Sequence, residues 1–265
     1  MKKYFSKIYW LIKSYFNIDL ILILKSTKNL PKFFYDFYKW KKIDKYNWPL
    51  EFLPSLLDYE SEASSNIGEY FFQDIFVAKK ILDQNSEKHV DVGSRIDGFV
   101  GHLACFREVE VFDIRKLSLK IKNIKFRKYD ITEKQNTYTN YTDSLSCLHT
   151  LEHIGLGRYG DKIDPDGWKL GLKNLSIFLK DSGLLWLSVP SGKQSIKFNS
   201  HRIFDPKTIV SEAKKFSLNL EEFYYYYPTD AEIIKSNEIG EDFAKISNRE
   251  YCLGIYKFRK KLTQI

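Results

Sequence analysis

Cysteine is scarce in this chain of 265 residues, and the three present, Cys105, Cys147 and Cys252, lie far apart. With no C-x-x-C pair and no even-numbered framework, a disulfide scaffold and a thiolate zinc site are excluded, and the chain reads as reduced and cytosolic. Internal repeats and low-complexity tracts are also lacking. Near the N-terminus Lys13 and Asp19 interrupt the apolar run well short of the roughly 18 residues a membrane span needs, and no small-residue cleavage site follows. The segment is therefore expected neither to span nor to export. What is present is 43% apolar residues, enough for one substantial core with appendages.

A net charge of +8 suggests nucleic acid until its position is considered. Residues 1–45 hold eleven lysines against Asp19, Asp36 and Asp44, which accounts for the whole excess and leaves the rest of the chain neutral. A basic groove on the core, and with it a nucleic-acid partner, is not expected. On a helical projection of Lys2 to Ile18, the lysines, Ser6, Ser14 and Asn17 share one arc of about 140°. Tyr4, Phe5, Ile8, Leu11, Ile12, Tyr15 and Phe16 fill the remainder, with Trp10 alone on the polar side. Such a helix either lies on an anionic cytoplasmic leaflet, as a peripheral membrane contact, or docks on its own domain or on a second copy in a homodimer. The aromatic and basic stretch from Phe33 to Lys42 leans toward the membrane. Residues 1–48 are read as this helical extension, 49–66, with Pro49, Pro54 and a Ser/Glu-rich run, as linker, and 67–265 as an α/β domain.

In that domain a helix is expected from Gly68 to Gln84. Strands are expected over His89–Val92, Val109–Ile114, Lys125–Ile131, Ser144–Leu148 and Leu184–Val189, with helical segments between several of them. Parallel βαβ units are the economical reading. The clearest helix runs from Pro165 to Lys180, capped by Asp164 and followed by Gly183; another opens at Asp205-Pro206. Two late strands, Glu222–Tyr227 and Glu250–Phe258, complete a seven-stranded, mostly parallel sheet with a C-terminal antiparallel hairpin.

The first strand ends in Asp91-Val92-Gly93-Ser94, where only glycine readily permits a sharp turn close to a ligand. The second ends at Asp113, about 20 residues past that turn, which is how an open α/β sheet holds a nucleoside ribose. The third brings Asp130 and Ile131 to the same edge. A fuller glycine pattern would place glycine at Arg95 and Asp97, so a dinucleotide site is the weaker reading.

Acidic strand tips in this order, followed by Leu151-Glu152-His153 after the fourth strand, resemble a Rossmann-like class I S-adenosylmethionine-dependent methyltransferase. More specifically, H-V-D-V-G-S-R-I-D-G-F-V-G-H-L-A from His89, Y-F-F-Q-D from Tyr70 to Asp74, and the run from Cys147 to Trp168 resemble the bacterial family "domain of unknown function 268", over roughly residues 60–230. The resemblance implies S-adenosylmethionine as cofactor. Asp91 and Gly93, with Ser94 and Arg95, would lie against the methionine moiety, Asp113 and Ile114 at the ribose, and Asp130 and Ile131 beside the adenine. Through that family's association with polysaccharide synthesis, it implies O-methylation of a sugar hydroxyl on a surface glycan or its precursor.

Methyl transfer to a hydroxyl needs a positioned acceptor and a base. The end of the fourth strand offers His149, Glu152, His153 and Asp161; His149 is the most distinctive, and a carboxylate or no base at all remain as alternatives. His149 and His153 would share a face if helical and hold a metal, but a glycine-rich loop follows, so no metal is expected. After the fifth strand Ser191, His201 and Arg202 are placed to meet the acceptor, Arg202 holding an acidic group on it. Against the enzyme stands a binding or assembly protein on a decayed methyltransferase fold, motivated by the missing glycines.

Overall fold

The structure, a computed structural model, describes residues 9, 13, 15–46, 48–51, 53–60, 62, 67–133, 137–230 and 232–262. The chain divides into two compact units, residues 1–66 and 67–265.

In the first unit helix α1 (Leu20–Ile43) starts where Asp19 accepts hydrogen bonds from the Ile21 and Leu22 amides, each 3.1 Å. Lys41 and Lys42 sit in its last turn, where cations suit the helix dipole. None of its residues is buried, and Pro31 lies inside it. A 3-10 turn covers Asp58–Glu60. Most of the amphipathic helix expected over Lys2–Ile18 lies outside the described residues. Among the described residues no helix is long and apolar enough to cross a membrane.

The second unit opens with α2 (Glu69–Asp83) and β1 (His89–Val92), then a helical turn, Ile96–Val100, that runs into α3 (Gly101–Ala104). Next come β2 (Val109–Asp113), β3 (Ile124–Lys128), β4 (Thr142–Leu148), α4 (Gly167–Phe178) and β5 (Leu179–Ser191). A small hairpin, β6 (Ser195–Lys197) with β7 (His201–Ile203), leads to α5 (Pro206–Lys215). The chain ends with β8 (Leu218–Tyr226), β9 (Ile234–Lys235), α6 (Ile239–Ser247) and β10 (Cys252–Lys260).

The main sheet has the order β3-β2-β1-β4-β5-β10-β8-β9. The first five are parallel, and β10 runs antiparallel to both β5 and β8. Both faces are covered, which is why the strands read as continuous apolar runs. One face packs Val92, Leu145, Leu187 and Tyr256 against Leu172 and Leu175 of α4 and Ile209 of α5. The other packs Val109, Val111, Trp186 and Ile255 against Val77 and Ile81 of α2 and Leu103 of α3. The strand order reverses between β1 and β4, so their carboxyl ends open the crevice where such sheets bind ligands.

The expected parallel strands are present, with three differences. The sheet has eight strands, because the two-residue β9 adds to the edge beside β8. The last two long strands pair, but β9 and α6 intervene, so they are not a hairpin. The helix expected from Pro165 begins at Gly167, because Asp164 instead closes a turn: its side chain accepts from the Asp166 amide (2.9 Å) and its carbonyl from Gly167 (3.1 Å). That helix stops at Phe178, whose carbonyl bonds the Tyr141 amide (2.7 Å), so Gly183 lies within β5.

Candidate active site

The tips of β1, β2 and β4, with the segments that follow them, enclose a cavity of about 270 Å³. Its floor is the turn after β1. Gly93 takes a left-handed φ of +74° while its amide bonds the Phe112 carbonyl of β2 (2.8 Å). A Cβ there would overlap the Thr150 side chain, so glycine is needed twice over, for conformation and for contact.

Asp91 does not reach this cavity. It is wholly buried and accepts from the Ser94 amide (3.0 Å), the Ser94 hydroxyl (2.6 Å) and the Ser146 hydroxyl (2.6 Å). Burial pushes its carboxyl up to about 7 against those three donors. Ser94 is buried too, and its hydroxyl accepts from the Leu148 amide (3.0 Å). The pair expected to touch a methionine moiety therefore ties the β1 turn to the end of β4, beneath the cavity.

Arg95 does line it. The chain enters the following helical turn at Arg95 with φ −66°, ψ 126°, and Asp97 is not left-handed either. Arginine and aspartate at these positions therefore impose no backbone strain, which removes the conformational motive for a decayed site. Their side chains pair, Arg95 Nη2 to Asp97 Oδ2 at 2.8 Å, in solvent.

At the tip of β2, Asp113 lines the cavity with Ile114 and is itself occupied. Arg115 binds it through its amide (2.8 Å), Nε (3.0 Å) and Nη2 (2.6 Å). Past β3, Tyr129, Asp130 and Ile131 form the next wall. Asp130 Oδ1 accepts from the Thr132 amide and hydroxyl (2.8 and 2.7 Å). The buried Tyr129 hydroxyl has no partner among the described residues.

The opposite wall follows β4. His149 adopts a left-handed φ of +49°, a conformation histidine takes more readily than most residues. Its amide bonds the Ser188 carbonyl and hydroxyl (3.0 and 3.2 Å). Ser188 in turn donates to Gln73 Oε1 (2.5 Å), which couples the Tyr70–Asp74 motif to this wall. The Tyr70 ring lies 4.7 Å from the imidazole.

His149 Nδ1 lies 2.9 Å from Glu152 Oε1. Glu152 is buried and, as a carboxylate, only accepts, so Nδ1 carries the proton and Nε2 carries the lone pair. Nε2 has no partner among the described residues, and His149 lines the cavity. Burial works to lower the imidazole pKa, and Glu152, with smaller contributions from Glu69 and Asp74, more than offsets it, so the net shift is upward. This is a base held in one tautomer by a buried carboxylate.

The other expected acid–base groups are held differently. His153 lines the cavity, but its Nδ1 donates to the Ser200 carbonyl (2.7 Å), and burial lowers its pKa. Asp161 organises the glycine-rich loop, accepting from the amides of Gly155 (2.7 Å), Gly157 (3.2 Å) and Tyr159 (3.2 Å). The segment is a series of turns, not a helix, and among the described residues no three metal-ligating side chains converge.

None of the three residues expected to meet the acceptor lines the cavity. Arg202 is buried, and its guanidinium is spent on carbonyls, Ile154 at 2.6 Å and, more weakly, Glu152 at 3.4 Å. Ser191 bonds the Tyr256 hydroxyl (2.8 Å) inside the sheet, and His201 Nδ1 bonds its neighbour Ser200 (2.9 Å). Ser191 ends β5, and His201 and Arg202 lie in β7 of the small hairpin. Tyr70, Arg115, Thr150, Arg158 and Tyr159 line the cavity instead; all but Arg115 lie in the Tyr70–Asp74 and Cys147–Trp168 motifs, which marked the segments without marking these side chains.

A family model described as "Caenorhabditis protein of unknown function, DUF268" matches residues 108–213, from the start of β2 into α5. That description names Caenorhabditis, and a bacterial origin is not supported. The match includes the Cys147–Trp168 run and leaves out Tyr70–Asp74 and the β1 turn. No curated protein matches the chain. Among solved structures, the N-methyltransferase NodS from Bradyrhizobium japonicum WM9, in complex with S-adenosylhomocysteine, is 11% identical with a TM-score of 0.51, covering 77% of this chain and 93% of its own. The [4+2]-cyclase SpnF is 11% identical at a TM-score of 0.52, over 72% and 80%. The Burkholderia thailandensis 1,6-didemethyltoxoflavin-N1-methyltransferase, with bound 1,6-didemethyltoxoflavin and S-adenosylhomocysteine, is 11% identical at 0.50, over 74% and 80%. At this identity the likeness shows the fold, a Rossmann-like class I methyltransferase sheet with antiparallel C-terminal strands. A cyclase among such structures means the fold alone does not fix the reaction.

Proposed function

We propose that this chain is an S-adenosylmethionine-dependent methyltransferase acting on a hydroxyl. The observation that carries the reading is His149, fixed by Glu152 and left with an unpartnered, buried Nε2, in the wall of a cavity that the Gly93 turn and Asp113 also line. The cofactor's fit rests on the Gly93 cradle, on the acidic tip at Asp113, and on the apolar side chains of Phe112, Ile131 and Ile154 with the buried, unpartnered Tyr129 hydroxyl. When bound, S-adenosylmethionine supplies an electrophilic methyl group on a sulfonium. Asp113 would hold the ribose hydroxyls, Tyr129 and Ile131 the adenine, and Gly93 would let the backbone approach the methionine end. His149 Nε2 would take the acceptor's hydroxyl proton, leaving an imidazolium that Glu152 stabilises. An amine with a free lone pair needs no such base before attack, so the dyad favours oxygen. A sugar hydroxyl of a surface glycan or its precursor is the acceptor class we put forward, supported by the family resemblance; comparing that glycan with and without the protein is expected to show the loss of one methyl increment.

A second reading, a binding or assembly protein on the same fold, is favoured by one observation: Arg115 already fills the Asp113 carboxylate. Calorimetric titration with S-adenosylhomocysteine separates the two. Binding to the intact chain is expected, and a folded chain that does not bind removes the enzyme reading. Asp113→Ala is expected to weaken that binding by roughly 1–3 kcal/mol, the range for leaving a buried hydrogen-bonding group unpaired.

The dyad also sets a pH dependence. His149 works as a base only when neutral, and its pKa is raised, so turnover should climb with pH through a midpoint above the ordinary histidine value. In Glu152→Gln burial still lowers the pKa while the carboxylate's upward pull is gone. The rising limb of kcat against pH should therefore move to lower pH. An unmoved limb would show that Glu152 does not act through His149.

A further inference from the structure

The sequence offered Arg202 as the cation for an acidic acceptor, and the fold buries it among carbonyls. We infer that Arg158, gathered with Arg115 on the Tyr159 ring, forms an oxyanion cradle in the cavity that His149 also lines, so that the acceptor carries a carboxylate or phosphate as well as the hydroxyl it presents. The inference rests on the methyltransferase reading for the word acceptor, and on geometry alone for the cradle.

Tyr159 projects from the loop that Asp161 holds by three backbone amides, and two guanidiniums gather on its ring. Arg115 lies 4.7 Å and Arg158 5.1 Å from the ring centre, so they stand no more than about 10 Å apart. Arg158 is the group that can take an oxyanion directly, with Arg115 adding positive charge at the same ring. Both arginines line the cavity that His149 lines.

The two differ in what they already hold. Arg115 spends Nε and Nη2 on Asp113 and is neutralised by it. Arg158 has no carboxylate within ion-pair distance among the described residues. Its Nη1 donates to the Ser200 carbonyl (3.0 Å), which anchors the head and leaves Nη2 and Nε for a ligand. The same Nη1 stands 3.2 Å from His153 Nδ1, which donates its own proton to Ser200, and 3.5 Å from His153 Nε2, a weak acceptor contact that leaves Nη2 and Nε uncommitted. Arg158 instead helps depress the His153 pKa. A fixed guanidinium with spare donors, in the cavity that the base also lines, has the form of a recognition group for a planar or tetrahedral oxyanion.

The test uses the full chain and two probes, inorganic phosphate and acetate, titrated separately with and without saturating S-adenosylhomocysteine and followed by NMR. One probe should bind saturably in the cavity, and which one does so tells phosphate from carboxylate. Arg158→Gln should weaken that probe at least tenfold while leaving the S-adenosylhomocysteine affinity unchanged, and Arg158→Lys, which keeps the charge and loses the fork, should fall between. Arg158 is exposed, so these variants should fold. Binding of neither anion, or equal binding by Arg158→Gln, would overturn the cradle. Failure of S-adenosylhomocysteine to bind would instead strike the methyltransferase reading, and the cofactor-free titration would still read the cradle.

Discussion

His149→Asn should lower turnover by about 10²- to 10⁴-fold, the usual contribution of a positioned general base, while S-adenosylhomocysteine binds as before. Asparagine is the informative replacement because residue 149 has φ +49°, a left-handed conformation that asparagine also tolerates. Alanine there would mix a backbone penalty into the result. The residue's amide would keep its bonds to Ser188, so the β4–β5 edge and the Gly93 turn should stay in place. A loss confined to kcat, with cofactor affinity intact, identifies a group that acts on the acceptor. A parallel loss of cofactor affinity would make His149 part of the binding wall, and unchanged turnover would end the base assignment. The expected size follows from the neighbours: Asp161 is enclosed by amides, while His153 keeps a lone pair on Nε2 but has Arg158 Nη1 3.5 Å from that atom and a pKa lowered by burial, so it is only a weaker substitute for the missing base.

Much of this architecture could be read along the chain because it depends on local signals. Strands buried on both faces appear as unbroken apolar runs, and the acidic residues at three strand tips mark the ligand edge of the sheet. Asp205 before Pro206 opens α5 as expected, its side chain accepting from the Lys207 amide at 2.8 Å. What could not be read is which polar groups the fold consumes internally. Asp91 and Asp113 look alike in sequence, each an acid at a strand end, yet one is closed off by two serines and the other stands on the cavity wall. Arg202 and Arg158 both follow the core strands as surface-like arginines. The β6–β7 hairpin turns the first inward onto carbonyls 48 and 50 residues earlier, while the Asp161 loop leaves the second outside. These outcomes depend on pairings distant in sequence, which periodicity and spacing do not encode.

Gly93→Ala should be strongly damaging, destabilising the fold and abolishing S-adenosylhomocysteine binding. Two costs combine. With φ +74° an L-residue is held in the left-handed region, which costs on the order of 1 kcal/mol. The added Cβ would also overlap Thr150 Cγ2 and stand 2.8 Å from Thr150 Oγ1, so either the turn or Thr150 must move. The turn is held by the Gly93 amide on Phe112 (2.8 Å) and by Ser94 between Asp91 and Leu148. Thr150 is the softer partner, and it immediately follows His149. The strain should therefore reach the base as well as the cofactor floor. Together a loss of about 2–3 kcal/mol in unfolding free energy is expected, within the range of overpacked core substitutions, and denaturant melts would measure it. The double variant Gly93→Ala/Thr150→Ala separates the two costs. Removing both Thr150 atoms that the Cβ would strike should recover the steric part and leave the backbone part, so the effects would be non-additive, as expected for residues in contact. Full additivity would show that the left-handed turn alone, and not its closeness to the β4 wall, makes glycine necessary at residue 93.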